Sequence, residues 1–174
     1  MRKVEKKMEL LFDEKSITEA LQKIYLDIKV YLSSINEEVH FITILKEGIH
    51  FSVDLSKKLY DYDLIFDYIF LKNVNPDNRE LAIEKDIFLP VKNRKVIVCS
   101  VLTRTGYELS FIENYLKIRG ASEIKTVSLI CKQETHKKPD FYFFEIPNDY
   151  YLVGYGLGYN ERYRNLQKIY RLII

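Results

Sequence analysis

Thr103-Arg104-Thr105-Gly106 puts two hydroxyls, a cation and a glycine into four consecutive residues of a 174-residue chain. Guanidinium forks and hydroxyls donate to phosphate oxygens, and glycine lets backbone come close to a ligand. Before the four residues runs Val96-Ile97-Val98-Cys99-Ser100-Val101-Leu102, short, continuous and rich in β-branched residues, which predicts a buried strand. After them, Leu109, Ile112 and Leu116 recur at helical spacing until Gly120, a suitable C-terminal glycine. Strand, glycine turn and helix in that order aim backbone N–H groups and the positive end of a helix dipole at one point, as α/β proteins do to bind phosphate. The expected ligand is an anion, unless the loop's own residues fill the place.

Several elements must hold this turn in position. Ser16-Ile17-Thr18-Glu19 has the form of a capping box and predicts a helix start. Ile17, Leu21, Ile24, Ile28 and Leu32 then share one face up to the turn Ser33-Ser34-Ile35-Asn36. Residues 39–45 predict a core strand, broken by Lys46-Glu47-Gly48, and 49–59 a helix with Ile49, Val53, Leu55 and Leu59 as its apolar positions. A second strand is predicted over 64–71. Residues 73–85 are polar, with Pro76 and three asparagines, and predict a mobile loop, while 87–89 predict a short return strand. Further strands are predicted over 123–131, 141–146 and 150–155, with a basic loop over 132–139. Gly154, Gly156 and Gly158 hold half of the six glycines at alternate positions, a sign of close backbone approach. Alternating strands and helices across the length predict an α/β class: one domain over 1–174, with a mostly parallel twisted sheet and helices on both faces.

Composition excludes several classes of function. The net charge of +2 and scattered lysines give no nucleic-acid footprint. No stretch approaches the roughly 18 apolar residues of a membrane span, and the first residues lack the apolar run of a secretory signal. A cytoplasmic protein is expected, with Cys99 and Cys131 as small buried hydrophobes inside strands. His40, His50 and His136 show no metal-ligand spacing and no nucleophile partner, so no chemistry is assigned to them. Tyrosine is unusually common, at 14 residues, and fits strand packing better than an oligomer interface.

Several motifs, in order from about residue 12 to 172, resemble the hypoxanthine-guanine phosphoribosyltransferases of purine salvage. Leu45-Lys46-Glu47-Gly48 is similar to the family's L-K-G-G loop, which contacts pyrophosphate and the subunit interface. Lys138-Pro139-Asp140-Phe141 and Phe144-Glu145-Ile146-Pro147 are similar to its K-P-D-F and F-E-I-P segments. Val153-Gly154-Tyr155-Gly156-Leu157-Gly158-Tyr159-Asn160-Glu161, with Arg164-Asn165-Leu166, is similar to its V-G-Y-x-L-D-Y-x-E…R-x-L ending. The resemblance implies the type I phosphoribosyltransferase fold, with a small hood built from the N- and C-terminal segments, and a homodimer or homotetramer. It implies that Lys138 donates to the purine 6-oxo group, Tyr151 stacks on the base and Leu152 lies beside it. It implies phosphate or pyrophosphate contacts for Lys46, Gly48, Thr103, Arg104, Thr105, Gly106 and Arg164.

The opening turn departs from the family's V-E-D-I-I-D-T-G-x-T. The acidic pair that holds ribose hydroxyls and magnesium is Ser100-Val101, the aspartate acting on the purine ring nitrogen is Arg104, and the phosphate-binding threonine is Glu108. The late aspartate that reaches a second magnesium is Gly158, and the first glycine of the pyrophosphate loop is Glu47. No catalytic residue and no metal ligand is therefore assigned, and magnesium is expected only if the protein is active. Three functions follow: a homologue that binds a purine base, IMP or GMP with transfer weakened or lost; an active enzyme using Thr103, Arg104 and Thr105 for phosphate and Glu161 or Asp140 as a replacement acid; or a non-catalytic scaffold. For Glu108 the expectation is that it fills the anion site or pairs with Arg104.

Overall fold

A computed structural model describes residues 7–75 and 80–173. In chain order the elements are β1 (Lys7–Phe12), α1 (Glu14–Leu32), β2 (Val39–Leu45), α2 (Ile49–Lys58), β3 (Leu64–Asn75), β4 (Glu80–Lys85), β5 (Lys95–Thr103), α3 (Tyr107–Ile118), β6 (Glu123–Lys132), β7 (Phe144–Ile146), β8 (Tyr151–Val153) and β9 (Ile169–Ile173). Six strands form a sheet in the order β4-β3-β2-β5-β6-β7, and β1-β9-β8 form a separate three-stranded sheet. All neighbours in the large sheet are parallel except β3 and β4. The small sheet is antiparallel and joins the two chain ends, with Lys7 opposite Ile173, which makes it the hood.

Strands of a sheet buried on both faces read as continuous apolar runs, and β5 is buried from Val96 to Thr103. Odd-numbered Phe41, Ile97, Cys99 and Val101 face α1 and α2, packing with Ile24, Ile28, Phe51 and Leu55. Even-numbered Ile42, Val96 and Val98 face α3, packing with Ile112 and Leu116. Adjacent β2 and β5 thus hand the chain to helices on opposite faces, which opens a crevice at their carboxyl ends. Loops 45–48 and 103–106 both stand at that crevice.

The N-cap of helix α1 lies three residues ahead of that of the predicted capping box. Asp13 is the N-cap, and its carboxylate accepts from Ser16 N at 2.8 Å and Ser16 Oγ at 2.7 Å, because a shorter acid side chain reaches the orphan N–H directly. Asp13→Ala is expected to cost about 1 kcal/mol, a fall in melting temperature of roughly 2–4 °C by calorimetry. Five buried apolar residues, Ile17, Leu21, Ile24, Ile28 and Leu32, each contribute roughly 1.5–3 kcal/mol, so packing rather than the cap decides that the helix forms.

In α2 the buried residues are Phe51, Ser52 and Leu55, whereas Ile49 and Val53 are exposed. The large Phe51 ring sets the inward face, which reading the aliphatic residues alone misplaces. The polar stretch 73–85 includes the end of β3 and all of β4, paired antiparallel with no buried residue in β4; residues 76–79 lie outside the described residues. Residues 87–89 are not a strand. Their N–H groups go to a side chain instead: Phe88 N and Leu89 N donate to the buried Asp67 carboxylate at 2.6 and 2.9 Å. The strands predicted over 141–146 and 150–155 contract to β7 and β8.

Candidate functional site

The crevice holds a cavity of about 220 Å³ lined by both loops. Its charged lining is balanced: Lys46, Arg104 and Arg164 face Glu47, Glu108 and Glu161. At the centre, both oxygens of Glu47 accept from Arg104 Nη2, at 2.9 and 2.7 Å. Arg164 Nη1 lies 3.8 Å from the same carboxylate. Glu161 closes the ring, 3.2 Å from Lys46 Nζ and 3.4 Å from Arg164 Nη2. The partner of Arg104 is thus Glu47, 57 residues away in sequence, rather than the neighbouring Glu108. Glu47 and, less strongly, Glu108 at the start of α3 both favour the charged guanidinium, but its side-chain hydrogen bonds go to Glu47.

Three structural causes place these groups. Gly106 has φ +81 and serves as the N-cap of α3; a Cβ there would sit 2.5 Å from Lys137 O, so the turn packs directly under the loop that carries Lys138. His136 N donates to Thr105 O at 2.8 Å, and the His136 ring stacks on Tyr107 at 4.9 Å. Second, Gly156 has φ +93 and is gripped from both sides: its N–H donates to Arg164 O at 2.9 Å, and its carbonyl accepts from Arg164 Nη1 at 2.8 Å. A Cβ on Gly156 would come within 2.2 Å of Glu47 O, so the close approach expected of the alternating glycines is to the chain's own backbone. Third, Tyr155, buried, donates from its hydroxyl to Asp54 of α2 at 2.7 Å. These contacts tie the C-terminal loop to loop 45–48, whose Leu45–Lys46 peptide is cis.

Beneath the turn lies a chain of hydroxyls, Ser100 to Ser128 at 2.6 Å and Ser128 to Thr103 at 2.7 Å, so Thr103 is buried and committed inward. Thr105 is exposed. Lys138, Tyr151 and Leu152 do not line the cavity. Lys138 pairs with Glu145 at 2.7 Å, and that hydrogen bond, then Tyr142, hold its ammonium pKa above the usual lysine range. Tyr151 is half exposed and edge-on to Tyr159 at 5.4 Å. The Leu152 side chain is core, which leaves only its backbone for a ligand. Asp140 accepts from Thr126 N and Oγ1, both at 2.7 Å, and so braces β6 away from the cavity.

Burial pushes the Glu108 carboxyl above its ordinary value; Glu47 adds to the rise and Arg104 opposes it. A carboxyl raised in the folded chain contributes favourably below its unfolded pKa, and that contribution is lost as pH rises through the folded value. Glu108→Gln is therefore expected to melt higher than the wild type at pH 7.5, with the gain shrinking toward pH 4.5; equal gains at both pH values would contradict it.

Magnesium does not fit the donors here. Ser100 and Val101 stand where carboxylates would be needed, and hard divalent cations take oxygen ligands with charge. A Cβ on Gly158 would meet Arg164 Cζ at 2.8 Å, so a guanidinium lies where an acid side chain would project. Among the described residues no three His, Cys, Asp or Glu side chains are grouped to hold a metal ion.

The family model for the phosphoribosyl transferase domain matches residues 15–161. The chain is similar to a hypoxanthine-guanine phosphoribosyltransferase of Bacillus subtilis (strain 168), 36% identical over 134 residues, covering 74% of this chain and 73% of the relative. It is also similar to one of Aquifex aeolicus (strain VF5), 27% identical over 171 residues, covering 95% and 94%. Among solved structures, a hypoxanthine-guanine phosphoribosyltransferase from Bacillus anthracis str. 'Ames Ancestor' matches with a TM-score of 0.86 at 25% identity, over 97% of this chain and 99% of that one. No helix among the described residues is long and apolar enough to cross a membrane. The type I fold, the ordered motifs and these relatives agree: the chain belongs to the phosphoribosyltransferase family, as a homologue of the hypoxanthine-guanine phosphoribosyltransferases of purine salvage.

Proposed function

We propose that the protein binds a purine base or the nucleotides IMP and GMP at this crevice, with phosphoribosyl transfer weakened or lost. In this reading it acts in the cytoplasm as a homodimer or homotetramer. One observation carries it: Glu47 sits between Arg104 and Arg164, in the loop that contacts pyrophosphate in the resembling family. A negative side chain held there opposes a diphosphate-bearing donor. It does not oppose a nucleotide product, which has no diphosphate. Lys138 and Tyr151 supply the base side; Glu145 and Tyr142 take two of the three ammonium donors, which leaves one for a purine oxygen.

Calorimetric titration with hypoxanthine, guanine, IMP and GMP tests the reading. Hydrogen bonds to charged groups contribute about 1.5–3 kcal/mol, so Lys138→Ala is expected to weaken IMP binding tenfold or more. Absence of heat with all four ligands, or unchanged affinity in Lys138→Ala, would contradict it. The reading as an active enzyme draws on Glu161, a carboxylate at the cavity; its pairing with Lys46 and Arg164 leaves it committed to cations of the chain.

A further inference from the structure

We infer that Glu113 of α3 is a positioning residue for the base side of the crevice: by pairing with Lys137 it fixes the second half of the loop 132–139 and, through it, Lys138. This role rests on Lys138 meeting the purine, as in the proposed function. Glu113 belongs to the buried face of α3, beside Leu109, Ile112 and Leu116, and only 8% of its surface is exposed. A carboxylate that deep needs a cation, and Lys137 supplies it, donating from Nζ to Glu113 Oε2. Lys117 Nζ, 3.9 Å from the same oxygen, stands mostly in water and adds little.

Different elements hold the two halves of this loop. The first half is tied to β7 and the residues after it: Gln133 N donates to Ile146 O at 3.0 Å, and Glu134 N to Asn148 Oδ1 at 3.1 Å. The second half is tied to the turn and to α3, through His136 N donating to Thr105 O and through the pair of Lys137 with Glu113. The Lys137 backbone lies against Gly106, and its carbonyl also accepts from Thr135 Oγ1 at 2.9 Å. Adjacent lysines therefore go to separate anchors, Lys137 to Glu113 in α3 and Lys138 to Glu145 in β7. Glu113 fixes the main chain one residue before Lys138 and neutralises the neighbouring ammonium. Stability alone does not call for a charged pair here, because replacing a buried pair by apolar residues of similar volume is often neutral or stabilising. What the pair adds is direction: it selects where Lys137 goes, and with it how the stem of Lys138 leaves the loop.

Calorimetric titration with IMP tests this on the wild type, on Glu113→Gln and on the doubly apolar variant Glu113→Leu with Lys137→Met, each also combined with Lys138→Ala. Both changes are expected to weaken IMP binding at least fivefold, and the doubly apolar variant to do so while melting at or above the wild-type temperature. In the Lys138→Ala background either change is expected to move the affinity less than twofold, because the residue they position is gone. Losses that multiply with that of Lys138→Ala overturn the inference, as does wild-type affinity in the doubly apolar variant. A doubly apolar variant that melts well below the wild type assigns the pair to stability and overturns it too. Should Glu113→Gln fail to fold, the doubly apolar variant, which leaves no buried charge unpaired, carries the test. Binding that responds to Lys138→Ala but to neither change at Glu113 removes this inference alone, whereas a wild type that takes up no IMP removes the proposed function with it.

Discussion

With hypoxanthine or guanine, phosphoribosyl diphosphate and magnesium, product formation is expected to run at least ~10²–10³-fold slower than that of the similar Bacillus subtilis enzyme assayed side by side. Removing one group positioned on developing charge commonly costs about 3 kcal/mol, and about 1.4 kcal/mol is tenfold in rate. On the proposed reading, Ser100, Val101, Arg104 and Gly158 stand at positions where the resembling family's motifs carry acids, Glu108 stands at that of a hydroxyl, and Glu47 adds a repelling charge. Such losses do not add. The expected floor is therefore that of one or two missing groups. Gly158→Asp alone is not expected to recover the rate, since its Cβ would meet Arg164 Cζ at 2.8 Å and the arginine would have to leave first. Rates within tenfold of the relative would show that Glu161 or another group has taken over the chemistry.

Gly156→Ala is expected to destabilise the protein by about 3 kcal/mol, a drop in melting temperature of roughly 6–12 °C. Left-handed backbone costs an L-residue roughly 1–2 kcal/mol, and forcing atoms into a filled space costs about 1–3 kcal/mol more. Both apply, because φ is +93 and the nearest atom is a main-chain carbonyl of Glu47 at 2.2 Å. Gly120→Ala separates the two effects. Its φ is +85, but the nearest atom is Lys92 Cγ at 3.2 Å, the middle of a flexible side chain, so about half the loss is expected. Because Gly156 also holds both ends of Arg164, the substitution disturbs the ion-pair ring along with the fold. Equal melting temperatures for the two variants would mean that the contact to Glu47 is not tight.

Much of this architecture is legible in the sequence because its causes are local. A continuous β-branched run is enough to mark β5, and the spacing of Ile17, Leu21, Ile24, Ile28 and Leu32 is enough to mark the buried face of α1. The loops of the crevice are legible as glycine turns between such elements. What escapes is whatever depends on partners far along the chain. Nothing near Arg104 marks Glu47 as its partner; only the parallel pairing of β2 with β5, Thr43 opposite Cys99, brings their ends together. Likewise Asp67 shows no sign in the sequence of replacing a strand at 87–89 by accepting two of its N–H groups. The helix start at Asp13 is a smaller case: two hydroxyl-and-acid patterns, Asp13 to Ser16 and Ser16 to Glu19, lie three residues apart, and the earlier one captures Ser16. The glycine alternation signals close approach correctly, yet what approaches is Lys168, Glu47 and Arg164 of the same chain.

On the proposed function, Glu47 occupies the diphosphate side of the crevice while the purine side stays open. Titration of one protein sample with IMP and then, separately, with phosphoribosyl diphosphate in excess magnesium tests it most directly. The expected result is saturable heat from IMP and none from the donor at concentrations that saturate with IMP. Tight, magnesium-dependent binding of the donor would contradict it, because Glu47 would then have to yield its place between Arg104 and Arg164 to a metal-bound diphosphate.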